Sequence, residues 1–319
     1  MSPREAAPAG PLLCLAGATA VGKSAVALVL ADQLGGEIIS VDSMQVYRGL
    51  DIGTAKPTAA ERARVPHHLV DVVNVRDAFD VAQWRALAQT AVKEVQGRGR
   101  LPILCGGSGL YFRTLLEGLA ESPTDPALRA ELEATPLAEL LRELEVRDPA
   151  GFARVDRRNP RRVFRAVEVL RLTGQPLPER PPRTLAQPLE GPGQPMMWVL
   201  SRSAEDMRSR IECRVDRMFA DGLVEETQRM LGLGLADNRV ALQALGYRQV
   251  EEHLRGERGL AETVELVKAR TRQFARRQRT WFRHQAAARW LELSPSETPE
   301  ATATLLGAEW RATHQDGSG

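Results

Sequence analysis

The segment with the clearest chemical meaning is residues 17–24, GATAVGKS, which lies between two apolar runs. It matches the phosphate-loop pattern Gly-x-x-x-x-Gly-Lys-[Ser/Thr], which is typical of nucleotide- and ATP-binding proteins. In such loops backbone N–H groups converge on an anion at the positive end of the following helix. The lysine adds charge, and the last hydroxyl can bind Mg²⁺. We therefore expect a di- or triphosphate here, with Mg²⁺ as cofactor and Ser24 as its ligand. The expected anion-binding residues are Gly17, Ala18, Thr19, Ala20, Val21, Gly22, Lys23 and Ser24.

A carboxylate ends the next apolar run of the chain. Residues 37–42 indicate a short strand whose last residue is Asp42. In doubly wound sheets, ligands bind outside the carboxyl ends of the strands, so we expect Asp42 to face the phosphate site. On spacing alone, two roles stay open for this carboxylate: holding the water shell of Mg²⁺, or taking part in catalysis.

The third predicted strand, at residues 101–105, bears on ATP hydrolysis. An ATPase usually has its metal-binding acid after such a strand. Here the strand is followed by GGSG at 106–109. Without a carboxylate to hold the metal or orient a water, the chain is poorly equipped for hydrolysis. Asp42 is then the one well-placed acid that could accept a proton.

Two predicted helices carry concentrated arginines. Eight basic residues and no acid lie between Lys268 and Arg289. Two interpretations stay open for this helix: a solvated surface packed by its apolar side, or contact with RNA, whose phosphates would neutralise arginines that repel one another. One helical stripe comprises Arg272, Arg276, Arg279 and Arg283. The expected core stripe comprises Val264, Val267, Thr271, Phe274 and Trp281.

The other basic helix follows Ser203, whose hydroxyl can cap it while Asp206 occupies the third position. Spacing places Arg210, Arg214 and Arg217 on one face of this helix. Several acids are close in sequence, so an ordinary surface ion pair stays open as the role of these arginines.

The middle of the chain differs in character. Residues 121–174 are helical in pattern, and the last helix is bounded by Asn159, Pro160 and Gly174. Residues 175–195 hold seven prolines and indicate a stiff connector. We predict an α/β fold with a phosphate-loop parallel-sheet core, residues 1–118 and 200–319, and an inserted small helical domain, residues 119–199. Residues after about 314 are expected to be disordered.

Composition is less specific. The 319 residues carry a net charge of +2, and no apolar stretch approaches the ~20 residues that cross a bilayer. The first ten residues are too short and polar for a signal peptide. Cys14, Cys105 and Cys213 are far apart, and two of them lie in predicted core strands. We expect reduced cysteines, a cytoplasmic location and no membrane contact.

Five segments together carry a family resemblance. Residues 41–57, VDSMQVYRGLDIGTAKP, resemble the signature of the tRNA dimethylallyltransferase (isopentenyl-tRNA transferase) family, in its bacterial form. Matching segments at 66–69, 106–112, 246–249 and 271–283 follow in family order. The family usually has Pro, Ser and Thr where this loop has Ala18, Val21 and Ser24, and Thr at Ser108. Hydroxyls at the metal and glycine-loop positions are kept, so these departures concern fine positioning. There is no C-x-x-C pair, so we do not expect the zinc-finger extension of eukaryotic members.

The resemblance implies transfer of a five-carbon group from dimethylallyl diphosphate to the exocyclic amine of the adenine 3′-adjacent to a tRNA anticodon. It implies catalytic roles for Asp42, Thr19 and Arg214, with Asp42 as the base and Arg214 at the diphosphate. The loop would then hold a leaving group, and ATP would not be a substrate. The helical insert would swing over the tRNA, and the enzyme would act as a monomer.

The expected contacts to the tRNA anticodon stem-loop are Asp42, Ser43, Met44, Gln45, Ser108, Asn159, Arg161, Arg162, Arg165, Gly246, Tyr247, Arg248, Gln249, Arg272, Arg276, Arg279 and Arg283. Three alternatives stay open: a small-molecule phosphate-loop kinase, an RNA-binding module with a degenerate nucleotide site, and a prenyltransferase acting on free AMP. The basic helices separate the main interpretation from the last of these, because a free nucleotide does not need them.

Overall fold

The computed structural model describes residues 10–118, 123–176 and 195–315. Its contacts divide the chain into two units, Met1–Gly118 with Arg183–Gly319, and Leu119–Pro182. The strands are β1 (Leu13–Gly17), β2 (Gly36–Val41), β3 (His67–His68), β4 (Leu101–Gly106), β5 (Met196–Ser201) and β6 (Arg289–Glu292). The helices are α1 (Lys23–Leu34), α2 (Ala59–Arg64), α3 (Val81–Gly97), α4 (Gly109–Glu117), α5 (Pro126–Ala134), α6 (Leu137–Arg147), α7 (Pro149–Arg154), α8 (Pro160–Thr173), α9 (Ala204–Ala220), α10 (Leu223–Gly232), α11 (Tyr247–Leu254), α12 (Leu260–Gln285) and α13 (Pro299–Gln315).

A parallel sheet organises the larger unit. Its strands follow the order β3-β2-β4-β1-β5-β6. Each neighbouring pair of these strands runs parallel. The strands β1, β2, β4 and β5 are almost wholly buried, as expected for a parallel sheet covered on both faces. This confirms the predicted phosphate-loop α/β core. Because all strands run in one direction, their carboxyl ends meet at one edge, where the loop after β1 lies.

Side chains of β1 alternate between two cores, one on each face of the sheet. Cys14 and Ala16 belong to the core that includes Trp84. Leu13 and Leu15 belong to the core built around α1 and α13. None of the described helices is long and apolar enough to span a bilayer.

The cysteines take the positions expected from the sequence. Cys14 and Cys105 are buried in β1 and β4, and Cys213 on α9 is exposed. Burial raises the pKa of the Cys105 thiol to about 11. The buried pair therefore packs as small hydrophobic residues, and neither thiol is an activated nucleophile.

The two edge strands were not expected from the sequence. β3 contains two half-buried histidines, and β6 has three exposed residues among its four. Both pair with longer strands, β3 with β2 and β6 with β5. Such short, polar segments show no apolar periodicity, so only pairing to a neighbouring strand identifies them.

The smaller unit is helical in its described part. Its core comprises Leu132, Leu140, Leu144, Val163, Ala166, Val167 and Leu170. The bounds of α8 follow the sequence prediction, with Asn159 as N-cap, Pro160 at the first position and Gly174 at φ 68° after the end. The predicted domain boundary at residue 199 falls inside β5, which pairs with β1 in the sheet of the larger unit. Most of the predicted connector, residues 177–194, and the predicted disordered end, residues 316–319, lie outside the described residues.

Candidate active site

The phosphate loop joins β1 to α1 through two glycines with different tasks. A Cβ at Gly17 would lie 2.9 Å from the Leu200 carbonyl oxygen, so the loop must leave β1 without a side chain there. Gly22 caps α1 with φ at 106°, a conformation that favours glycine. The N–H groups of the first turn of α1 have no partner within the helix. They include those of Lys23 and Ser24, and together with the positive end of the helix they form an anion site.

A cavity of about 1020 Å³ opens beside this loop. Loop residues and α9 both line it, and the α9 arginines include Arg214 and Arg217, for which no ion pair is recorded among the described residues. Its acids are largely neutralised: Asp71 pairs with Lys56 at 2.5 Å, and Asp206 with a buried arginine at 2.9 Å. The remaining charge of this cavity is positive, which suits a diphosphate.

Lys23, Arg214 and Asp42 form one electrostatic cluster. Burial lowers the pKa of Lys23, the Arg214 guanidinium lowers it further, and the Asp42 carboxylate opposes both effects. Burial also lowers the pKa of Arg214, again opposed by Asp42. Two cations and one carboxylate from three different elements therefore lie within electrostatic reach of one another. The sequence prediction that Asp42 faces the phosphate site agrees with this placement.

The carboxylate of Asp42 is oriented by its own backbone. Asp42 follows β2 directly, and its Oδ1 accepts a hydrogen bond from the Met44 N–H at 2.8 Å. Asp42 is half-buried. No hydrogen bond to Oδ2 is found among the described residues, so this oxygen is open to a substrate group.

The glycine segment after β4 allows close packing beside Asp42. A Cβ at Gly106 would lie 2.0 Å from the Val41 carbonyl oxygen, and a Cβ at Gly109 would lie 2.1 Å from the Trp281 ring. Ser108, between them, donates its N–H to the Val41 carbonyl oxygen at 3.3 Å. Ser108 is half-buried at the N-cap of α4, and its side chain makes no capping bond. Its hydroxyl is therefore placed next to the end of β2, where a substrate contact was predicted.

The side chain of Gln45 is used within the chain. Its Oε1 accepts from the Ser40 hydroxyl at 2.7 Å, and its Nε2 donates to the carbonyl oxygens of Thr54 and Ala55 at 3.2 Å. Both the oxygen and the nitrogen of this amide therefore have partners within the protein. The predicted tRNA contact of Gln45 does not fit this arrangement, whereas Ser43 and Met44 beside it are half-buried with partly accessible side chains.

Tyr247 does not fit its predicted role as a tRNA contact. The side chain is fully buried, donates from its hydroxyl to Glu226 at 2.5 Å and accepts from the Gly53 N–H at 3.1 Å. A buried ring packed this closely holds the loop after β2 in place and cannot contact RNA. Gly246 is buried as well, and its N–H donates to the side-chain oxygen of Gln249 at 3.1 Å. Arg248 is exposed and forms an ion pair with an acid of its own helix at 3.0 Å.

The arginine stripe of α12 is largely accessible. Arg276 and Arg279 are exposed, and no ion pair is recorded for either among the described residues. Arg272 pairs with Glu212 at 3.1 Å, and Arg283 lies 5.7 Å from the centre of the Trp290 ring. The predicted core face of this helix was partly wrong. Its buried residues are Thr263, Val267, Thr271, Ala275, Gln278 and Phe282, while Phe274 and Trp281 are only partly buried.

The predicted tRNA contacts of the smaller unit lie at the start of α8. Arg165 is engaged there, donating to Glu168 at 2.6 Å and to the Pro123 carbonyl oxygen at 2.9 Å. Arg162 pairs with Asp156 at 3.6 Å, and 57% of its side chain remains exposed. Arg161, on the first turn of α8, is exposed, and Asn159 makes no side-chain capping bond.

Gln278 is a site residue that the sequence did not reveal. Its Oε1 accepts from the Thr19 N–H at 2.8 Å, and its Nε2 donates to the Gly107 carbonyl oxygen at 3.0 Å. One amide of α12 thus joins the phosphate loop to the glycine segment after β4. A glutamine within an arginine-rich helix carries no local signal for such long-range bonds.

Known proteins resemble the chain over most of its length. The family model described as IPP transferase matches residues 45–285. The tRNA dimethylallyltransferase of Thermomicrobium roseum is 43% identical over 291 residues, 89% of this chain and 87% of that protein. That of Salinispora tropica is 45% identical over 293 residues, 90% of each chain. The full-length tRNA isopentenylpyrophosphate transferase of Bacillus halodurans superposes with a TM-score of 0.71 at 35% identity, covering 97% of this chain and 98% of that one. With its phosphate loop, its acid after β2 and these matches, the chain belongs to the IPP transferase family.

Proposed function

We propose that this protein transfers the dimethylallyl group of dimethylallyl diphosphate to the exocyclic amine of the adenine immediately 3′ of the anticodon in tRNA. The cluster of Lys23, Arg214 and Asp42 carries this proposal, because it supplies cations for a leaving diphosphate and a carboxylate for an amine proton. The names of the curated relatives, tRNA dimethylallyltransferases, support the same reaction.

The phosphate loop binds the leaving group in this reaction. As the allylic C–O bond breaks, negative charge develops on the diphosphate. The first-turn N–H groups of α1, Lys23 and Arg214 are fixed donors and cations that stabilise this charge without reorganising. Phosphate is not transferred to any acceptor, so the reaction has no use for ATP.

Asp42 acts as the general base. The adenine amine is a weak nucleophile because its lone pair is delocalised into the ring. As its nitrogen bonds to the allylic carbon, the amine loses a proton, and Oδ2 of Asp42 accepts it. The Met44 N–H holds Oδ1 and so fixes the orientation of the carboxylate. A positioned base of this kind typically accelerates a reaction by ~10²–10⁴-fold.

Mg²⁺ is the cofactor that these residues fit. Ser24 is exposed in the first turn of α1, where its hydroxyl is a hard oxygen ligand beside the diphosphate site. Within the described ranges no group of three or more His, Cys, Asp or Glu side chains could hold a metal ion. Mg²⁺ suits such a site, because it commonly keeps several waters and binds through substrate phosphate oxygens. When bound it neutralises charge on the leaving diphosphate.

The anticodon stem-loop is the part of tRNA that this site would contact. The target adenine is stacked in that loop and has to leave the stack to reach Asp42. Arg276 and Arg279, exposed on α12, are placed to contact backbone phosphates. We place the reaction in the cytoplasm and assign it to a monomer, since both Asp42 and the phosphate loop belong to one chain.

Replacing Arg279 by Ala should remove roughly one ionic contact to RNA. The slope of log affinity against log salt should then fall by up to about one unit, with all cognate tRNAs weakened alike. Measuring tRNA affinity at several salt concentrations checks this, with Arg270→Ala, an exposed arginine off the stripe, as the matched control. An unchanged slope in a folded Arg279→Ala protein would remove this position from the RNA interface.

The proposed function is tested by prenyl transfer from dimethylallyl diphosphate and Mg²⁺ without ATP, using tRNA and AMP as competing acceptors. We expect transfer to tRNA at the same rate with and without ATP, and far slower transfer to AMP, which cannot use the arginine stripe. A strict need for ATP would instead favour the small-molecule kinase. Preference for AMP would favour a prenyltransferase of free nucleotides, and tRNA binding without turnover would indicate a binding module.

A further inference from the structure

We propose that Gln278 is a positioning residue that holds the phosphate loop in its diphosphate-binding conformation and joins that loop to the arginine-bearing helix α12. This inference rests on the proposed function, since the loop is taken to bind the leaving diphosphate. Gln278 is a polar side chain only 8% exposed, so its amide must find partners inside the protein.

The partners of Gln278 are two backbone groups at the carboxyl ends of neighbouring strands. Oε1 accepts from the N–H of Thr19, after β1, and Nε2 donates to the carbonyl oxygen of Gly107, after β4. A Cβ at Gly107 would lie 2.2 Å from Nε2, so the contact requires a glycine at this position. The same Cβ would lie 3.1 Å from the Gly17 carbonyl oxygen, which shows how closely the two strand ends approach beside the amide.

The bond to Thr19 has a direct consequence for anion binding. Because the Thr19 N–H is directed to Gln278, it is not a donor to the diphosphate. The loop is anchored at this residue, and the N–H groups at the start of α1, from Lys23 onward, remain for the anion. Anchoring also fixes the backbone of Thr19, for which the family resemblance implies a catalytic role.

Gln278 also lies between the arginines expected to contact RNA. Arg276 precedes it by two residues and Arg279 follows it, both exposed on α12. Together with Ala18 and Val21 of the phosphate loop, these arginines line a second cavity of about 390 Å³. The helix that meets the RNA is therefore hydrogen-bonded to the loop that holds the diphosphate, and a shift of one would move the other.

Two substitutions separate positioning from general stability. Gln278→Met keeps the size of the side chain but loses both bonds. Gln278→Glu as a carboxylate can accept from Thr19 but cannot donate to Gly107. When protonated, the same acid offers one donor and one acceptor and can restore both bonds. Burial favours the neutral form of a carboxyl group, so lowering the pH should populate the protonated acid.

We expect Gln278→Met to slow single-turnover prenyl transfer by about 10²-fold, because small misplacements of binding groups have effects of this size. Its affinity for inorganic diphosphate should fall by about tenfold, which corresponds to about 1.4 kcal/mol of binding free energy, while tRNA affinity stays within about twofold. For Gln278→Glu, the transfer rate relative to wild type should rise several-fold from about pH 8 to about pH 6. The ratio for Gln278→Met should not depend on pH. Gln273→Met, an exposed glutamine of the same helix, is the matched control and should behave as wild type.

Inorganic diphosphate binding needs no prenyl transfer, so it tests Gln278 even if the proposed reaction fails. Wild-type diphosphate affinity in Gln278→Met would overturn the proposal. So would a pH-independent rate ratio in a folded Gln278→Glu protein, with folding checked by the thermal midpoint. Should Gln278→Met not fold, the pH profile of Gln278→Glu alone decides.

Discussion

Asp42→Asn should slow the chemical step of prenyl transfer by ~10²-fold or more, because it removes the base that accepts the amine proton. The substitution is nearly isosteric. Its side-chain oxygen can still accept from the Met44 N–H, so the turn after β2 is retained. Affinity for tRNA should change little, since the lost function belongs to the reacting amine. Single-turnover transfer under saturating tRNA measures the effect on chemistry alone.

The control for Asp42→Asn is Asp221→Asn. Asp221 is an exposed carboxylate at the end of α9 that lines the cavity beside the phosphate loop, so its loss also removes one negative charge near the site. We expect only a small change in rate for this control. If both variants slowed transfer to the same extent, charge in the cavity would explain the result and Asp42 would lose its role as base. A wild-type rate in Asp42→Asn would have the same meaning.

Arg214→Gln should lower the transfer rate by ~10²–10³-fold, the effect typical of losing one donor to developing negative charge. Arg214 lies in the electrostatic cluster with Lys23 and Asp42, and burial strengthens its interaction with an anion. Affinity for inorganic diphosphate should fall as well, and the affinity for tRNA should be retained. Single-turnover rates and diphosphate titrations measure the two effects.

Arg208→Gln is the matched control, because Arg208 is an arginine of the same helix whose side chain is 71% exposed and paired with Glu212. It should leave the rate and the diphosphate affinity close to wild type. Equal losses in both variants would show that α9 contributes only general positive charge. Diphosphate affinity unchanged in Arg214→Gln would place Arg214 outside the diphosphate site.

The sheet core could be predicted because its strands are buried on both faces. Residues of β1, β2, β4 and β5 form continuous apolar runs, which identify buried strands without knowledge of their neighbours. β3 and β6 lack such runs and exist because a longer strand pairs with them. Their detection depends on tertiary contacts that the local sequence does not encode.

The buried face of α12 shows a limit of helical periodicity. Spacing allowed a core stripe through Phe274 and Trp281, but Phe282 is the aromatic residue that is fully buried. Its ring packs edge-on against Phe112 of α4, 6.1 Å between centres. Trp281 and Phe282 are adjacent and both lie against α4, so spacing along the helix alone does not tell which of the two rings is fully enclosed.

The site residues also fall into two groups, those that the local sequence indicates and those that only tertiary contacts reveal. Lys23 and Ser24 lie in a local motif, and Asp42 ends an apolar strand, so their type and position indicated a site. Gln278 and Tyr247 act through hydrogen bonds to segments far away in sequence, and their types alone indicate neither bond. The prediction that Tyr247 contacts RNA was therefore wrong, because its buried ring supports the loop after β2.

The most direct test of the central claim is to locate the product. Purified protein, dimethylallyl diphosphate, Mg²⁺ and an unmodified tRNA transcript are incubated without ATP, and the RNA is digested for mass spectrometry. The account predicts the mass of one five-carbon prenyl unit on the adenine 3′-adjacent to the anticodon, in wild type and in much lower yield in Asp42→Asn. Prenyl groups at other positions, or a phosphorylated product that forms only when ATP is added, would contradict it.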